Sequence, residues 1–409
     1  MKKWISILLC LTLTLGLLSG CGGGKTESEP TAEPAATEEP AATEAPSTEA
    51  PADEGETFDY EAAYAQFTAA LEKARTAIDP DEVIATVDGQ PLTWKMFYYF
   101  VTGDLQEVFY YIGEIPEDFS EVLTEDTTWQ KYFTDSALSQ SIYYIEANVQ
   151  AEKLGARLTE AQQTRLDGYW DEVVAQYGSE EAVQTAMAQA NLDKELFLYL
   201  VSSNEKFSAL MAELYGADGE KLTDEEVLAW AAQNGYVRTK HILWSFLDET
   251  GAALDDESKA ALREKLEKVR DELAALMGDD AALEARFDEI MNAESEDPGG
   301  LASFPAGYTY TAGTMVPAFE DAAFQLSDYQ LSELVETDYG YHILLGLPLD
   351  AEGLTMDQDS ATGDYMTLRQ SAANTRFTEQ MVEWINDADV QWEKDYEDLD
   401  FNALFHGEG

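Results

Sequence analysis

Two histidines lie in apolar segments that could place them at a reactive site. His241 is part of Arg-Thr-Lys-His-Ile-Leu-Trp and His342 is part of Gly-Tyr-His-Ile-Leu, and both segments have the pattern of buried strands. A buried histidine is more often a structural residue than an acid or a base. With Asp297 the two histidines could also supply three ligands to a metal ion. No short ligand spacing of a zinc motif is present, so we expect no bound metal.

A second candidate feature is a pair of apolar side chains one helical turn apart. Met315 and Phe319 stand at positions i and i+4 of a predicted helix, so both can point towards the same side. This spacing alone is equally typical of core packing. A pair that faced the histidines would instead form an apolar pocket beside them.

The elements that must position these residues follow one another between residues 235 and 348. Apolar periodicity and turn residues define their order. The predicted elements are a strand over 238–244, helices over 258–277 and 281–293, a loop over 294–300, a short helix over 315–324 and a strand over 335–344.

This segment resembles the parvulin family of peptidyl-prolyl isomerases through four motifs in the same order. They are a Lys-His-Ile-Leu first strand, a Ser-x-Asp-Pro-Gly loop, a Met-Val-Pro-x-Phe-Glu-x-Ala-Ala-Phe helix and a Val-x-Thr-x-x-Gly-Tyr-His-Ile last strand. The resemblance implies a four-stranded antiparallel sheet surrounded by helices. It also implies cis/trans isomerisation at X-Pro bonds, with no cofactor.

The resemblance assigns catalytic roles to four residues. His241 and His342 become a central pair, and Asp297 takes the place of the family's Cys or Asp. Thr337 is expected to hydrogen-bond the histidine pair. His241, Asp297 and His342 are expected to converge with Met315 and Phe319 on one shallow apolar cleft.

The resemblance also assigns residues to substrate binding. Met315 and Phe319 form the expected proline pocket, with the Phe319 ring lining an open cleft. One stretch departs from the family, because Ser303–Tyr310 replaces a Gly-Asp-Leu-Gly sequence. Tyr308 or Tyr310 is the expected pocket wall in its place.

The chain before residue 235 is predicted to be helical around one hairpin. A helix over 58–78 precedes Val-Ile-Ala-Thr-Val-Asp-Gly-Gln-Pro-Leu-Thr, which has the Asp-Gly turn of a hairpin. Thr93 is expected to cap the next helix, and Thr223 opens a later one with a capping box. The Ala-Thr-Val-Asp-Gly-Gln-Pro-Leu-Thr stretch followed by helices resembles the N-terminal chaperone domain of the SurA and PrsA foldases.

The second resemblance implies an α+β chain with a discontinuous, mostly helical chaperone domain. Residues 57–234 form its expected main part, and the parvulin domain over 235–348 is inserted in it. The segment 349–409 holds a C-terminal helix over about 365–386 and an acidic tail. By the resemblance, this helix returns to the N-terminal domain through a face made of Phe377, Met381, Trp384 and Ile385.

The N-terminus has the pattern of a bacterial lipoprotein. Residues 1–20 carry two lysines and then a short apolar run, as a signal peptide does. Leu-Ser-Gly-Cys ends this run, so Cys21 is the expected lipidated residue. Residues 21–56 are rich in Thr, Glu, Pro and Ala and are expected to be a disordered tether. These features predict a protein anchored at the extracytoplasmic face of the cytoplasmic membrane.

The charge of the chain limits its partners. With 81 acidic and 24 basic residues, the net charge is −57, which excludes nucleic acid as a natural partner. We expect a peptidyl-prolyl isomerase and chaperone whose partners are unfolded or partly folded secreted polypeptides. The alternative is a holdase whose parvulin domain is weakly active or inactive. The sequence leaves the oligomeric state open, a dimer included.

Overall fold

A computed structural model describes residues 59–407, apart from residues 125, 361, 395 and 397. These residues combine α-helices with β-strands and are mostly helical, in agreement with the predicted α+β class. The predicted signal peptide, Cys21 and the tether over residues 21–56 lie outside the described residues. No helix in the described part of the chain is both long enough and apolar enough to cross a membrane.

The described chain begins with helices around two short hairpins. In chain order these elements are α1 (Tyr60–Ala77), β1 (Val83–Val87), β2 (Gln90–Thr93), α2 (Trp94–Ile112), β3 (Val122–Thr124), β4 (Thr127–Thr128), α3 (Trp129–Leu154), α4 (Glu160–Tyr177), α5 (Glu180–Gln189), α6 (Lys194–Leu214) and α7 (Asp224–Gln233).

Strands are more frequent in the rest of the described chain. Its elements are β5 (Val237–Ser245), α8 (Asp256–Ala274), α9 (Asp280–Glu294), α10 (Pro298–Ser303), β6 (Tyr308–Tyr310), α11 (Pro317–Ala323), β7 (Val335–Glu336), β8 (Gly340–Leu347), β9 (Leu354–Gln358), β10 (Tyr365–Thr367), α12 (Leu368–Asp387) and β11 (Val390–Trp392). A π-helical turn follows at Asn402–His406.

The described residues pack into two compact units. The first unit comprises residues 59–145, 169–200 and 388–407. The second comprises residues 146–168 and 201–387. All of the predicted catalytic residues belong to the second unit.

The first unit contains the predicted β1–β2 hairpin. Its turn residues Asp88 and Gly89 have φ angles of 48° and 79°, the positive values that a tight hairpin turn requires. The antiparallel sheet has the order β11-β1-β2, so the last strand of the described residues pairs with their first. Ala85 lies opposite Trp392 in this pairing. The C-terminal residues therefore complete a sheet that the N-terminal residues begin.

Helix α2 begins at the predicted residue but not by the predicted contact. Thr93 occupies the N-cap position, yet its side chain makes no capping hydrogen bond, so this part of the prediction is wrong. Backbone atoms before the hairpin take its place: the Trp94 and Lys95 amides donate to the carbonyls of Glu82 and Pro80 at 2.8 and 2.9 Å. The helix N-terminus is thereby satisfied without a side-chain cap.

The second unit confirms the predicted capping box at α7. The Thr223 hydroxyl accepts from the Glu226 amide, and the Glu226 carboxylate accepts from the Thr223 amide. Helix α12 packs against α7 in a cluster of buried apolar residues that includes Leu222, Val227, Trp230, Leu368 and Ala372. The Arg369 side chain adds polar contacts to Asp224 and Glu352 at this contact.

The sheet of the second unit corrects the predicted strand count. It has six strands in the order β10-β9-β6-β5-β8-β7, whereas the sequence predicted four antiparallel ones. Strands β6, β5, β8 and β7 do pair antiparallel with their neighbours. The hairpin β9–β10 adds the two extra strands, and β9 lies parallel to β6. The extra strands pair here because β6 would otherwise leave an edge unpaired.

The two faces of this sheet have different neighbours. Alternate residues of a strand point to opposite faces, so Ile242 and Ile343 face one side and His241 and His342 the other. The first side packs against α8 and α9 through Leu266, Leu273, Leu283 and Phe287. The second side carries the candidate site.

Candidate active site

Two neighbouring strands hold the histidines side by side. In the register of β5 and β8, His241 lies opposite Leu344 and His342 opposite Leu243. The two rings are therefore two register positions apart and lie on the same face. Their Nδ1 atoms are 3.2 Å apart, and the ring planes differ by 12°. Both side chains are buried.

Asp297 is held at the start of α10 by its own local sequence. Its Oδ1 accepts from the Gly300 amide at 3.0 Å, and Pro298 occupies the first turn of the helix, where no amide donor is needed. The other oxygen, Oδ2, faces the histidines and lies 2.7 Å from His241 Nε2. One carboxylate thus starts a helix and binds a histidine.

Tyr308 provides a third partner for the same carboxylate. Its hydroxyl donates to Asp297 Oδ2 at 2.7 Å, and its ring lies edge to face with the His241 ring. Burial and the adjacent carboxylate raise the pKa of Tyr308, so the hydroxyl stays a donor. Gly300 makes this arrangement possible, because a Cβ there would lie 2.2 Å from both Asp297 Oδ2 and the Tyr308 hydroxyl.

The carboxylate of Asp297 is ionised. Burial alone would raise its pKa, but hydrogen bonds from His241, Tyr308 and the Gly300 amide outweigh that effect and hold the pKa well below its usual range. The contact therefore places a fixed negative charge next to Nε2 of His241.

Thr337 bounds the histidine pair on the opposite side. Its hydroxyl lies 2.8 Å from His342 Nε2 and accepts from the Tyr339 amide at 3.1 Å. Burial, and then the proximity of His241, lower the pKa of His342 to about 4. His342 is thus neutral at pH 7.

With neutral imidazoles the network has a single hydrogen-bond direction. The Asp297 carboxylate can only accept, so His241 Nε2 carries the proton and His241 Nδ1 accepts. His342 Nδ1 must then donate, which leaves His342 Nε2 to accept from Thr337. A proton added to the pair would reverse both of the last two bonds. The site is therefore a chain of hydrogen bonds with a defined direction and one half-buried negative end at Asp297.

Phe319 forms the apolar wall over the pair. Its ring meets the His241 and His342 rings edge to face, at centroid distances of 5.2 and 5.5 Å. Met315 packs against the same apolar cluster. The Glu320 carboxylate fixes the loop before α11 by accepting from the amides of Gly313 and Met315 at 3.0 and 2.7 Å.

The structure differs from the expected open cleft at this wall. Phe319 is only 3% exposed and belongs to a closed cluster with Tyr310, Ala323 and Leu344. The Tyr310 side chain is fully covered, which raises its pKa to about 12, and it contacts no solvent in this conformation. The spacing of Met315 and Phe319 serves core packing as well as a pocket.

Sequence reasoning missed the support behind Tyr308. Phe304 packs on the Tyr308 ring at 4.9 Å, and Tyr365 of the added strand β10 packs on Phe304 at 4.7 Å. Phe304 lies in the stretch that departs from the parvulin pattern, so an aromatic residue at this position was the available signal. The sequence offered no such signal for Tyr365, because the position of this residue follows from the pairing of β9 with β6.

The titratable groups of the candidate site are hydrogen-bonded to one another. His241, Asp297 and His342 are joined by hydrogen bonds, so the lone pairs that would bind a metal are already engaged. Within the described part of the chain, no group of three or more His, Cys, Asp or Glu side chains is placed to hold a metal ion.

Residues 241–346 match the family of PPIC-type PPIASE domains, also described as rotamases. The foldase protein PrsA of Halalkalibacterium halodurans is 31% identical over 185 residues, which are 43% of this chain and 48% of that protein. The foldase protein PrsA of Caldanaerobacter subterraneus is 26% identical over 281 residues, 67% of this chain and 74% of that protein. The chain thus spans about half the length of the first relative.

Among solved structures, the crystal structure of PrsA from Bacillus subtilis is similar over 70% of this chain and 99% of that one. It is 19% identical, with a TM-score of 0.22. The family match covers both histidines, Asp297 and Thr337. Residues 241–346 therefore form a parvulin-type peptidyl-prolyl isomerase domain, in a chain that is similar to the foldase proteins PrsA.

Proposed function

We propose that this chain isomerises X-Pro bonds in unfolded polypeptides outside the cytoplasm and also acts as a chaperone for them. The observation that carries the proposal is the hydrogen-bonded pair of His241 and His342, bounded by Asp297 and Thr337 and covered by the Phe319 ring. The names of the relatives, foldase proteins, support the chaperone part.

The side chains of this protein are sufficient for the reaction. Rotation about an X-Pro bond is slow because amide resonance must be broken, and no covalent bond changes. The twisted amide has less charge separation than the planar one, so an apolar surface favours it. The Phe319 ring and Met315 would supply such a surface in a conformation that opens the cluster around them.

The polar side of the site would act on the rotating peptide group. His342 presents no competing positive charge at pH 7, because its pKa is about 4. Asp297 orients His241, and Thr337 orients His342, so neither ring has to reorganise during the reaction. We assign to these four residues the positioning of polar groups against the twisted amide.

A direct test uses a short peptide with one X-Pro bond and measures its cis/trans exchange by NMR. The wild-type chain should accelerate exchange, and Thr337→Val, which keeps the shape and removes the hydroxyl, should lower the rate by about tenfold. Thr362→Val, at an exposed loop position, serves as the control. Equal rates with and without the wild-type chain would refute the proposed activity.

A second candidate function is a holdase with little isomerase activity. The burial of Phe319 favours it, because the proline pocket is closed in this conformation. Suppression of the aggregation of a proline-free client, measured by light scattering, separates the two functions. A holdase suppresses aggregation while leaving X-Pro exchange at the uncatalysed rate.

The anchoring of the chain is also a proposal. Cys21 follows the pattern of a lipoprotein signal, and an attached lipid would hold the described units near a membrane. A single acyl chain binds membranes only marginally, so we expect more than one. Metabolic labelling with a lipid precursor should mark the wild-type chain, whereas Cys21→Ala should be unlabelled and released from membranes.

A further inference from the structure

The first unit exposes tyrosines where α1 meets the end of α2. Tyr60 and Tyr64 stack at a centroid distance of 6.1 Å, and both contact Phe109 of α2, at 5.9 and 6.1 Å. Tyr110 and Tyr111, which follow Phe109 directly, meet edge to face at 5.3 Å. We call Tyr60, Tyr64, Tyr110 and Tyr111 the tyrosine patch.

The tyrosine patch is exposed although its base is well packed. Tyr110 and Tyr111 are 78% and 76% exposed, and Tyr60 and Tyr64 are 56% and 46% exposed. Beneath them, Phe67 and Phe109 stack at 4.5 Å and are buried. A group of large apolar rings on a rigid base is typical of an interaction surface.

The charged residues nearest to the tyrosine patch along the chain are all acidic. Residues 59–72 and 103–130 contain no lysine or arginine. Glu61 stands three positions before Tyr64, and Glu107 stands three positions before Tyr110, so each carboxylate shares a helix side with a patch tyrosine. Glu114 follows α2, and all three glutamates are exposed. The faces of the rings therefore lie in a negative potential.

We propose that the tyrosine patch binds arginine- and lysine-bearing segments of unfolded polypeptides. A cation placed over a tyrosine ring is attracted by the ring's electron density, and a nearby carboxylate adds to that attraction. The apolar part of a long basic side chain can lie along the same rings. This inference rests on the chaperone part of the proposed function and names its substrate class.

Charge also distinguishes between the occupants that could cover the patch. The segment 22–57, which precedes α1, carries ten carboxylates and one lysine. A second copy of the chain would bring a net charge of −57. Both are repelled by the glutamates around the tyrosine patch, whereas a basic segment is attracted.

The test compares short peptides of one sequence that lack proline, so the isomerase site has no substrate. The first peptide carries several arginines, the second has glutamine and the third has glutamate at the same positions. Binding to the full chain is measured by fluorescence anisotropy at low salt. The arginine peptide should bind at least about tenfold tighter than the glutamine peptide, and added salt should weaken it.

Two variants locate the binding surface. Tyr110→Ser/Tyr111→Ser removes the two most exposed rings of the patch and should lower the affinity for the arginine peptide by about tenfold. Glu107→Lys/Glu114→Lys should weaken it further, whereas Glu249→Lys/Glu264→Lys makes the same change of net charge in the second unit and should leave most of the binding. A wild-type unfolding midpoint of the first unit serves as the folding control for the two variants in that unit, and unchanged X-Pro exchange serves for the variant in the second unit.

Three results would overturn the inference. They are equal affinity for the arginine and glutamine peptides, wild-type affinity in Tyr110→Ser/Tyr111→Ser, and tighter binding by a peptide of residues 22–57 than by the arginine peptide. An absence of X-Pro exchange in the wild-type chain would refute the proposed isomerase activity instead. It would leave the peptide comparison valid, because the peptides contain no proline.

Discussion

At the scale of single residues, Asp297 determines how the site is arranged. Two carboxylate oxygens accept from a helix amide, a histidine and a tyrosine hydroxyl. The motifs indicated which residues could meet the histidines, since the loop motif carries Asp297 and the last-strand motif carries Thr337. The Tyr308 hydroxyl could not be assigned in this way, because the stretch around it departs from the parvulin pattern.

Tyr308→Phe should make the isomerase activity more sensitive to acid. The lost hydrogen bond raises the pKa of Asp297, so the carboxylate is protonated at a higher pH than in the wild-type chain. The loss of kcat/KM on acidification should therefore begin at higher pH, while activity at pH 7 falls by no more than about tenfold. The measurement is the pH profile of X-Pro exchange.

Tyr310→Phe is the matched control for that variant. It removes a covered tyrosine hydroxyl that lies 3.4 Å from Thr239 and does not contact Asp297. Its pH profile should coincide with that of the wild-type chain. A Tyr308→Phe profile that also coincides with wild type would show that the hydroxyl does not hold Asp297 ionised.

His342 should make the second unit less stable as pH falls. Its pKa is about 4 in the folded chain and near 6.5 in the unfolded chain, so the unfolded chain binds the proton first. The stabilisation of the folded state by neutral His342 is complete above pH 6.5 and is lost as the pH falls towards 4. The free energy of unfolding falls by about 3 kcal/mol at most over this range. Histidine side-chain NMR should show His342 neutral at pH 6, and a titration near 6.5 would contradict this.

At the scale of elements, the short helix α10 determines how closely Asp297 and Tyr308 can approach each other. The sequence predicted a loop over 294–300, whereas the structure has a helix from Pro298 onward with Asp297 as its N-cap. No sequence pattern indicated the reason for each of the two glycines. Gly300 lies where a Cβ would overlap Asp297 Oδ2 and the Tyr308 hydroxyl, whereas the nearest atom to a Cβ on Gly299 is 3.7 Å away. The two adjacent glycines therefore have different roles.

Gly300→Ala should damage the site, and Gly299→Ala should not. Helix propensity alone would make both substitutions mildly stabilising. At Gly300 the overlap must separate Asp297 from Tyr308, at a cost of about 1–3 kcal/mol. We expect X-Pro exchange to fall by about tenfold or more in Gly300→Ala and to stay at the wild-type level in Gly299→Ala. Equal rates in the two variants would contradict the role given to Gly300.

The strands β9 and β10 show where sequence patterns fail at this scale. Strand β5 was predictable because a run of apolar residues marks a strand with neighbours on both sides. Strand β9 is mixed in polarity, with only Thr355 fully buried. Its pairing depends on the free edge of β6, which no local pattern in residues 354–367 encodes.

At the scale of the whole molecule, the two units use different parts of the chain. The second unit ends at Asp387, and residues 388–407 belong to the first. There, Trp392 packs against Phe97, and Phe401 and Phe405 pack against Phe119. The return of the C-terminal segment to a chaperone domain over residues 57–234 stays a prediction about domain organisation.

Removal of residues 388–409 should therefore lower the stability of the first unit and leave the second active. The truncation uncovers the edge of β1 and the apolar surface of Phe97 and Phe119. We expect a lower unfolding midpoint for the first unit, with X-Pro exchange at the wild-type rate.

Trp392→Ala is the milder test if the truncated chain fails to fold. Loss of a large partly buried ring costs about 3–5 kcal/mol when the ring is in a core, and less here because Trp392 is half-buried. Urea unfolding, monitored by hydrogen exchange of the β1 amides, measures the change in the stability of the first unit. A loss of isomerase activity that equals the loss of β1 protection would show that the units are not independent.

The pairing of β11 with β1 has a consequence for the order of events during synthesis. The Asp389 amide donates to Asp88 across 301 residues of chain, so the sheet of the first unit cannot close until Val390–Trp392 has been made. The second unit has all of its strands earlier and can fold while the N-terminal hairpin still waits for its partner. We expect pulse-labelling of nascent chains to find the isomerase domain protected from protease first and the N-terminal hairpin last.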